Sequence, residues 1–146
     1  MRRFVTYVSA LALVATVAVR AADKVQTVEE LDKTMKKIGP AQQAVNKAIQ
    51  AMNYAEAKKQ LDAIELELKD AQNFWSVKKR EDATKFTQET LTKIESLKKL
   101  LETKAPDPMA ITTSYREVGV ACATCHRVYR TTDDNNNFII KPGTVS

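Results

Sequence analysis

Two cysteines and one histidine, the only residues of either type in the chain, lie within five positions as Cys122-Ala123-Thr124-Cys125-His126. Two thiols three positions apart, followed at once by an imidazole, are typical of a c-type haem attachment site. At such a site the thiols bond to the two vinyl groups of the porphyrin and the imidazole binds the iron. Positions three apart share one face of a helix, so the three side chains can meet one flat macrocycle without backbone distortion. The spacing therefore predicts one covalently bound haem c.

Two other chemistries use cysteines at this spacing. A structural or redox-active disulfide between Cys122 and Cys125 would be expected beside a βαβ pattern, as in thioredoxin-like proteins, and no such pattern flanks the motif. A zinc site needs four ligands, and the chain offers two thiols and one imidazole here. Both alternatives are weaker predictions than haem.

The N-terminus has the three-part layout of a secretory signal peptide. Arg2 and Arg3 precede an uncharged, mostly apolar run over residues 4–19, and Arg20-Ala21-Ala22 follows. We predict that residues 1–21 are removed and that residues 22–146 form the mature domain; an uncleaved N-terminal anchor is the competing interpretation. Because covalent attachment at such a motif takes place outside the bacterial cytoplasmic membrane, export and haem together predict a periplasmic protein without a membrane span after signal removal.

The net charge of the chain is +5, but the signal peptide carries much of it. Loss of Arg2, Arg3 and Arg20 leaves 20 basic and 18 acidic residues, a net charge of +2. Nucleic-acid binding calls for a much larger basic excess on one face. The composition therefore argues against a nucleic-acid partner.

Apolar residues recur every three or four positions in four segments, which predicts four amphipathic helices and an all-α fold. The first begins at the capping box Thr27-Val28-Glu29-Glu30 and is expected to kink, without breaking, at Gly39-Pro40. The second follows Asn53 and ends at Trp75, which is expected to be a core residue. The third runs from Glu81 to the break at residues 105–108, and its predicted buried residues are Ala83, Phe86, Leu91 or Thr90, Ile94, Leu97 and Leu101.

The fourth helix is predicted from Pro108 to about Arg130, with the cysteines of the haem motif on its core seam. Gly119, one turn before Cys122, would either make room for the porphyrin face or serve helix packing. The polar, turn-prone residues 131–137 are expected to end this helix and to lead to a tail, which either packs on the bundle or stays loose. Short connections between similar helices predict an antiparallel up-down-up-down four-helix bundle, and no segment has the periodicity of a strand.

With the haem motif near the end of its last helix, the mature chain resembles a class II cytochrome c, the family of cytochrome c prime and its low-spin relatives. The Tyr129-Arg130 pair after the motif and the segment Met35-Lys36-Lys37-Ile38-Gly39 carry the rest of the resemblance. It implies that Cys122 and Cys125 hold the haem, that His126 is the proximal iron ligand and that Arg130 lies near a propionate. It also admits a homodimer.

Methionine stands where the low-spin branch of this family supplies the sixth iron ligand, and Met35 is therefore the predicted second metal ligand beside His126. An antiparallel bundle brings the start of its first helix level with the end of its fourth, which favours the same residue. At a rise of about 1.5 Å per residue, Met52 lies about 25 Å from Met35 along the first helix, and Met109 lies about 25 Å from His126 along the fourth. Neither methionine can therefore reach the iron. The alternative is that Met35 only fills the core stripe.

Three functions compete at this point. With two protein ligands on the iron, the leading prediction is a periplasmic electron carrier and not an enzyme. A five-coordinate, cytochrome c prime-like protein that binds nitric oxide or carbon monoxide is the alternative, and a helical interaction protein without a cofactor is the third. Basic residues flanking Met35 and His126 suggest docking of an acidic redox partner, although ordinary solvated helix faces would give the same pattern. These residues are Lys33, Lys36, Lys37, Arg127 and Arg130.

Overall fold

The computed structural model describes residues 25–145, and the predicted signal peptide lies outside them. Four helices make up most of this part of the chain: α1, Val28–Gln50; α2, Tyr54–Val77; α3, Glu81–Leu101; and α4, Pro108–Tyr129. Each packs closely on the next in sequence. The predicted all-α four-helix bundle is confirmed. Within residues 25–145, no helix combines the length and apolar character that crossing a bilayer requires.

Local signals fix three of the four helix starts. The Thr27 hydroxyl accepts a hydrogen bond from the Glu30 amide at 3.2 Å, and the Glu30 carboxylate accepts one from the Thr27 amide at 2.9 Å. Asn53 and Asp107 cap α2 and α4 through their side-chain oxygens. Of these four helices, α3 alone starts without a side-chain cap, at Arg80. Caps of this kind satisfy amides that have no partner inside the helix.

Helix α1 runs unbroken through Pro40, as predicted, and α2 extends two residues beyond its predicted end at Trp75. It ends where Lys79 adopts a left-handed conformation with a φ of 54°. The Arg80 amide then donates to the Trp75 carbonyl at 2.9 Å and the Lys79 amide to the Ser76 carbonyl at 3.0 Å. This is a Schellman ending built without glycine, and it explains why the sequence marks the connection so weakly.

Two groups of buried residues form the core along the bundle. The group that we call the upper cluster includes Val45, Leu61, Ile64, Ile94, Leu97, Ile111 and Val118. The lower cluster consists of Val25, Leu31, Ala71, Phe74, Trp75, Ala83 and Tyr129. Trp75 is 2% exposed, which confirms its predicted core position.

The buried face of α3 differs from the prediction in one place: Phe86 is only partly buried, and Thr87 is fully buried beside it. Of the predicted alternatives Leu91 or Thr90, Thr90 is fully buried and Leu91 only partly. Each of these threonine hydroxyls donates at 2.9 Å to the carbonyl four residues earlier. Because the hydroxyls find partners on their own helix, they can occupy core positions at little cost.

A β-hairpin follows α4, contrary to the expectation that no segment forms strands. Strand β1, Arg130–Thr132, pairs antiparallel with β2, Phe138–Ile140, so that Arg130 faces Ile140 and Thr132 faces Phe138. Ile140 and Val145 pack against the lower cluster. The tail therefore packs on the bundle, the first of the two alternatives that the sequence left open.

Tyr129, the last residue of α4, ties this end of the bundle to the start of α3. Its ring is 2% exposed and lies 4.7 Å from the ring of Trp75. The hydroxyl donates to the Asp82 carboxylate at 2.6 Å and accepts from the Arg80 guanidinium at 2.9 Å. The hydrogen bond from Tyr129 holds the pKa of Asp82 below its ordinary value.

We expect Tyr129→Phe to lower the free energy of unfolding by about 1–2 kcal/mol, because it removes a hydrogen bond to a charged group that is only partly shielded from water. Tyr54→Phe is the matched control, since within residues 25–145 its hydroxyl has no hydrogen-bond partner. Urea unfolding followed by circular dichroism measures both variants.

The same variant should show a defined pH dependence. The lowered pKa of Asp82 stabilises the fold above the ordinary value of 3.8, and this contribution is lost as the pH falls through the lowered pKa. The stability gap between wild type and Tyr129→Phe should therefore hold in neutral and weakly acidic solution and narrow below pH 3.8. A gap that widens in acid would contradict this role for the Tyr129–Asp82 pair.

Candidate functional site

A cleft of about 680 Å³ opens beside the cysteine motif. Residues from α4, one residue of α1 and the hairpin line it: Gln42, Gly119, Cys122, Ala123, His126, Arg127, Arg130, Thr131, Thr132 and Phe138. Those from α4 recur at helical spacing and form a single stripe. The volume is within the range of protein sites for small molecules and cofactors.

The cleft lies on the most open seam of the bundle. The backbones of α1 and α4 approach each other much less closely than those of the consecutive helix pairs. One direct bond across this seam runs from the Tyr115 hydroxyl on α4 to the Gln42 carbonyl on α1, at 2.8 Å. The seam therefore leaves room beside the motif.

The predicted site residues fall into three groups. Cys122, His126 and Arg130 line the cleft together. Cys125 is partly buried against the lower cluster and does not line it. Met35 packs half-buried against both clusters, at their junction, and does not line the cleft either. Iron ligation by Met35 therefore requires a bound group to reach inward from the cleft to this junction.

Protonation of the motif favours a neutral imidazole and neutral thiols. Burial, followed by the nearby Arg130 guanidinium, lowers the pKa of His126. Burial raises the pKa of Cys122, and burial together with Cys122 and Asp82 raises the pKa of Cys125 to about 11. A neutral imidazole keeps a lone pair for a metal. Thiols with raised pKa values are poor nucleophiles, which weighs against a redox-active dithiol.

The charge of the cleft is positive. Arg127 and Arg130 line it, and no carboxylate does so among the residues that the structure describes. The Arg130 guanidinium lies 4.0 Å from the centre of the Phe138 ring. In contrast, Lys36 pairs with Asp32 and Lys37 with Glu67, so two of the lysines predicted to form a basic rim are neutralised locally. The positive charge at the site therefore comes mainly from its two arginines.

Gly119 has open space where a side chain would stand. An added Cβ would have no atom within 4 Å of it, so close packing against another helix does not account for this glycine. The position instead lines the cleft one turn before Cys122. Of the two roles predicted for Gly119, the structure favours making room for a bound group over helix packing.

The residues that line the cleft fit a haem attached through Cys122 and His126, whereas Cys125 lies outside the cleft against the lower cluster. Cys122 and His126 share the cleft, Gly119 leaves space beside them, and two guanidinium groups offer partners for carboxylates. Within residues 25–145, no three His, Cys, Asp or Glu side chains converge to hold a bare metal ion.

No protein-family model, curated protein or solved structure matches this chain. The resemblance to class II cytochromes c therefore depends on the motif, its place at the end of the fourth helix, the Tyr129-Arg130 pair after it, and the first-helix segment around Met35.

Sequence reasoning did not identify Gln42 and Phe138 as site residues. Gln42 is the single polar residue in the apolar series of α1, and that irregularity was the available signal. Phe138 carried no such signal, because its position in the cleft depends on the hairpin.

Proposed function

We propose that this chain is a periplasmic c-type cytochrome of the class II kind, which carries electrons through one haem c. The observation that carries the proposal is the joint position of Cys122 and His126 in a cleft that Gly119 keeps open on the α4 side. When bound there, the haem would supply reversible one-electron transfer at its iron. In this proposal residues 1–21 are a signal peptide that is removed on export.

The residues of the chain would bind, orient and shield the group. Cys122 and Cys125 would hold it by thioether bonds, and His126, kept neutral by burial that lowers its pKa, would present a ring nitrogen to the iron. Arg130 would pair with a propionate, for which charge-assisted hydrogen bonds are well suited. Met35 would occupy the sixth coordination position. An acidic redox partner would dock beside Arg127 and Arg130.

A specific observation supports the second candidate, binding of nitric oxide or carbon monoxide. The α1 residue that lines the cleft is Gln42, whereas Met35 lies two turns earlier in the core. If Met35 stays there as a core residue, no protein side chain fills the sixth position and a diatomic ligand can enter. The two candidate functions therefore differ in whether α1 supplies an iron ligand: Met35 does so in the electron carrier, and no residue does so in the gas-binding protein.

Visible spectra of the purified protein, oxidised and reduced, test the proposal. The protein is produced in a host able to attach haem, and carbon monoxide is added to the reduced form. An electron carrier with two axial protein ligands is expected to be low-spin in both states and to bind carbon monoxide slowly or not at all. A high-spin spectrum with rapid carbon monoxide binding would favour gas binding, and a colourless protein would reject both functions.

A further inference from the structure

The hairpin has a shape that its own residues fix. Asp133 closes the turn by accepting hydrogen bonds from the amides of Asn135 at 2.9 Å and Asn137 at 2.8 Å. Asn136 adopts the left-handed conformation with a φ of 61°. Asparagine tolerates that conformation better than most residues. The strands on either side are thereby held in one register.

The bundle also holds the hairpin in one place. The Lys141 amide donates to the Tyr129 carbonyl at 2.8 Å, and Ile140 packs against the lower cluster. Strand β2 also contacts α1. The hairpin therefore spans the open seam between α1 and α4 at the end where the cysteine motif lies.

Phe138 is the apolar side chain that this arrangement presents to the cleft. It lines the cleft, yet it is 58% exposed, and its ring is held against the Arg130 guanidinium at 4.0 Å. A guanidinium at this distance makes a cation–π contact with the ring. The next residue, Ile139, is also exposed, at 37%, but does not line the cleft. An apolar ring left open at a cleft wall would gain free energy from a group that covered it.

We infer that the hairpin is the outer wall of the haem site and that Phe138 covers the solvent-facing edge of the haem. This inference rests on the proposed function. Burial and local polarity are among the properties by which a protein sets the reduction potential of its haem. Water at the haem edge favours the more highly charged oxidised state, so Phe138 raises the reduction potential by excluding water.

The test compares Phe138→Ala with Ile139→Ala, its neighbour on the same strand, and with Phe138→Tyr, which retains an aromatic ring. Each holoprotein is equilibrated with a redox buffer at the midpoint potential of the wild type, and the ratio of oxidised to reduced protein is read from the visible spectrum. We expect Phe138→Ala to raise this ratio about threefold through greater haem exposure. Ile139→Ala and Phe138→Tyr should stay close to the wild type.

Circular dichroism and covalent haem content are measured on the same samples. They show whether Phe138 only shields the haem or is also needed for folding and haem attachment. Removing an exposed side chain should leave both unchanged. If all variants carry haem and Phe138→Ala behaves like Ile139→Ala, the wall is rejected and the proposed function stands. If the wild type itself carries no haem, the proposed function fails and this inference fails with it.

Discussion

A protein with both Cys122 and Cys125 replaced by alanine should carry no covalently bound haem when produced in a host that attaches haem to the wild type. The thioether bonds need both thiols, and the chain has no other cysteine. Acid–acetone extraction measures the effect: all pigment should leave the double variant, whereas the wild type should keep its pigment. The double variant should also be less stable than the wild type, because the end of α4 would lose the contacts that its cysteines would make through a covalently bound haem.

Thr124→Ala is the control for this experiment. Thr124 lies between the two cysteines, and its hydroxyl donates to the Val120 carbonyl of its own helix at 3.0 Å. Its removal should leave the pigment attached. Wild-type haem that comes away freely in acid–acetone would contradict the thioether assignment, whatever the spectra show.

If Met35 binds the iron as proposed, Met35→Ala should convert a low-spin protein into a high-spin one that binds carbon monoxide readily, because the substitution removes that ligand. The oxidised wild type should show a weak methionine-to-iron charge-transfer band, and the variant should lack it. If Met35 only fills the core, the substitution should instead cost about 1–3 kcal/mol of stability, as expected for a partly buried side chain, and leave the spectrum unchanged.

Met52→Ala provides the control. The Met52 side chain is 68% exposed. The rise of an α-helix places this residue about 25 Å from Met35 along the chain, beyond the far end of α1. Its loss should alter neither the spectrum nor carbon monoxide binding. A wild-type protein that is already five-coordinate and high-spin would rule out the ligand role of Met35 and move the function toward gas binding.

The bundle was predictable because its determinants are local. The apolar period of each helix, the capping box at Thr27 and the Asp107-Pro108 start of α4 all act within a few residues. The ending of α2 was less predictable, since a lysine takes the left-handed position that usually falls to glycine. The hairpin was not predicted because its strands are only three residues long and polar and apolar residues do not alternate along either of them.

For the site, the sequence spacing correctly predicted that Cys122 and His126 share a surface, because they lie four positions apart on one helix. The same reasoning also placed Cys125 on that surface, but Cys125 lies outside the cleft against the lower cluster. What faces Cys122 and His126 depends on tertiary packing. The position of Gln42 follows from how α1 is set against α4 across an open seam, and that of Phe138 from how the hairpin folds back. The position of Met35 illustrates the same limit: its level along the bundle was predictable, but its packing against both core clusters was not.

The mass of the wild-type chain under denaturing conditions, after production in a host that attaches haem, shows directly whether the chain binds a haem covalently. We expect a mass equal to that of the mature chain plus one haem, with the addition confined to the proteolytic fragment that contains Cys122, Cys125 and His126. A chain of unmodified mass, with both thiols free to react with an alkylating reagent, would contradict this expectation.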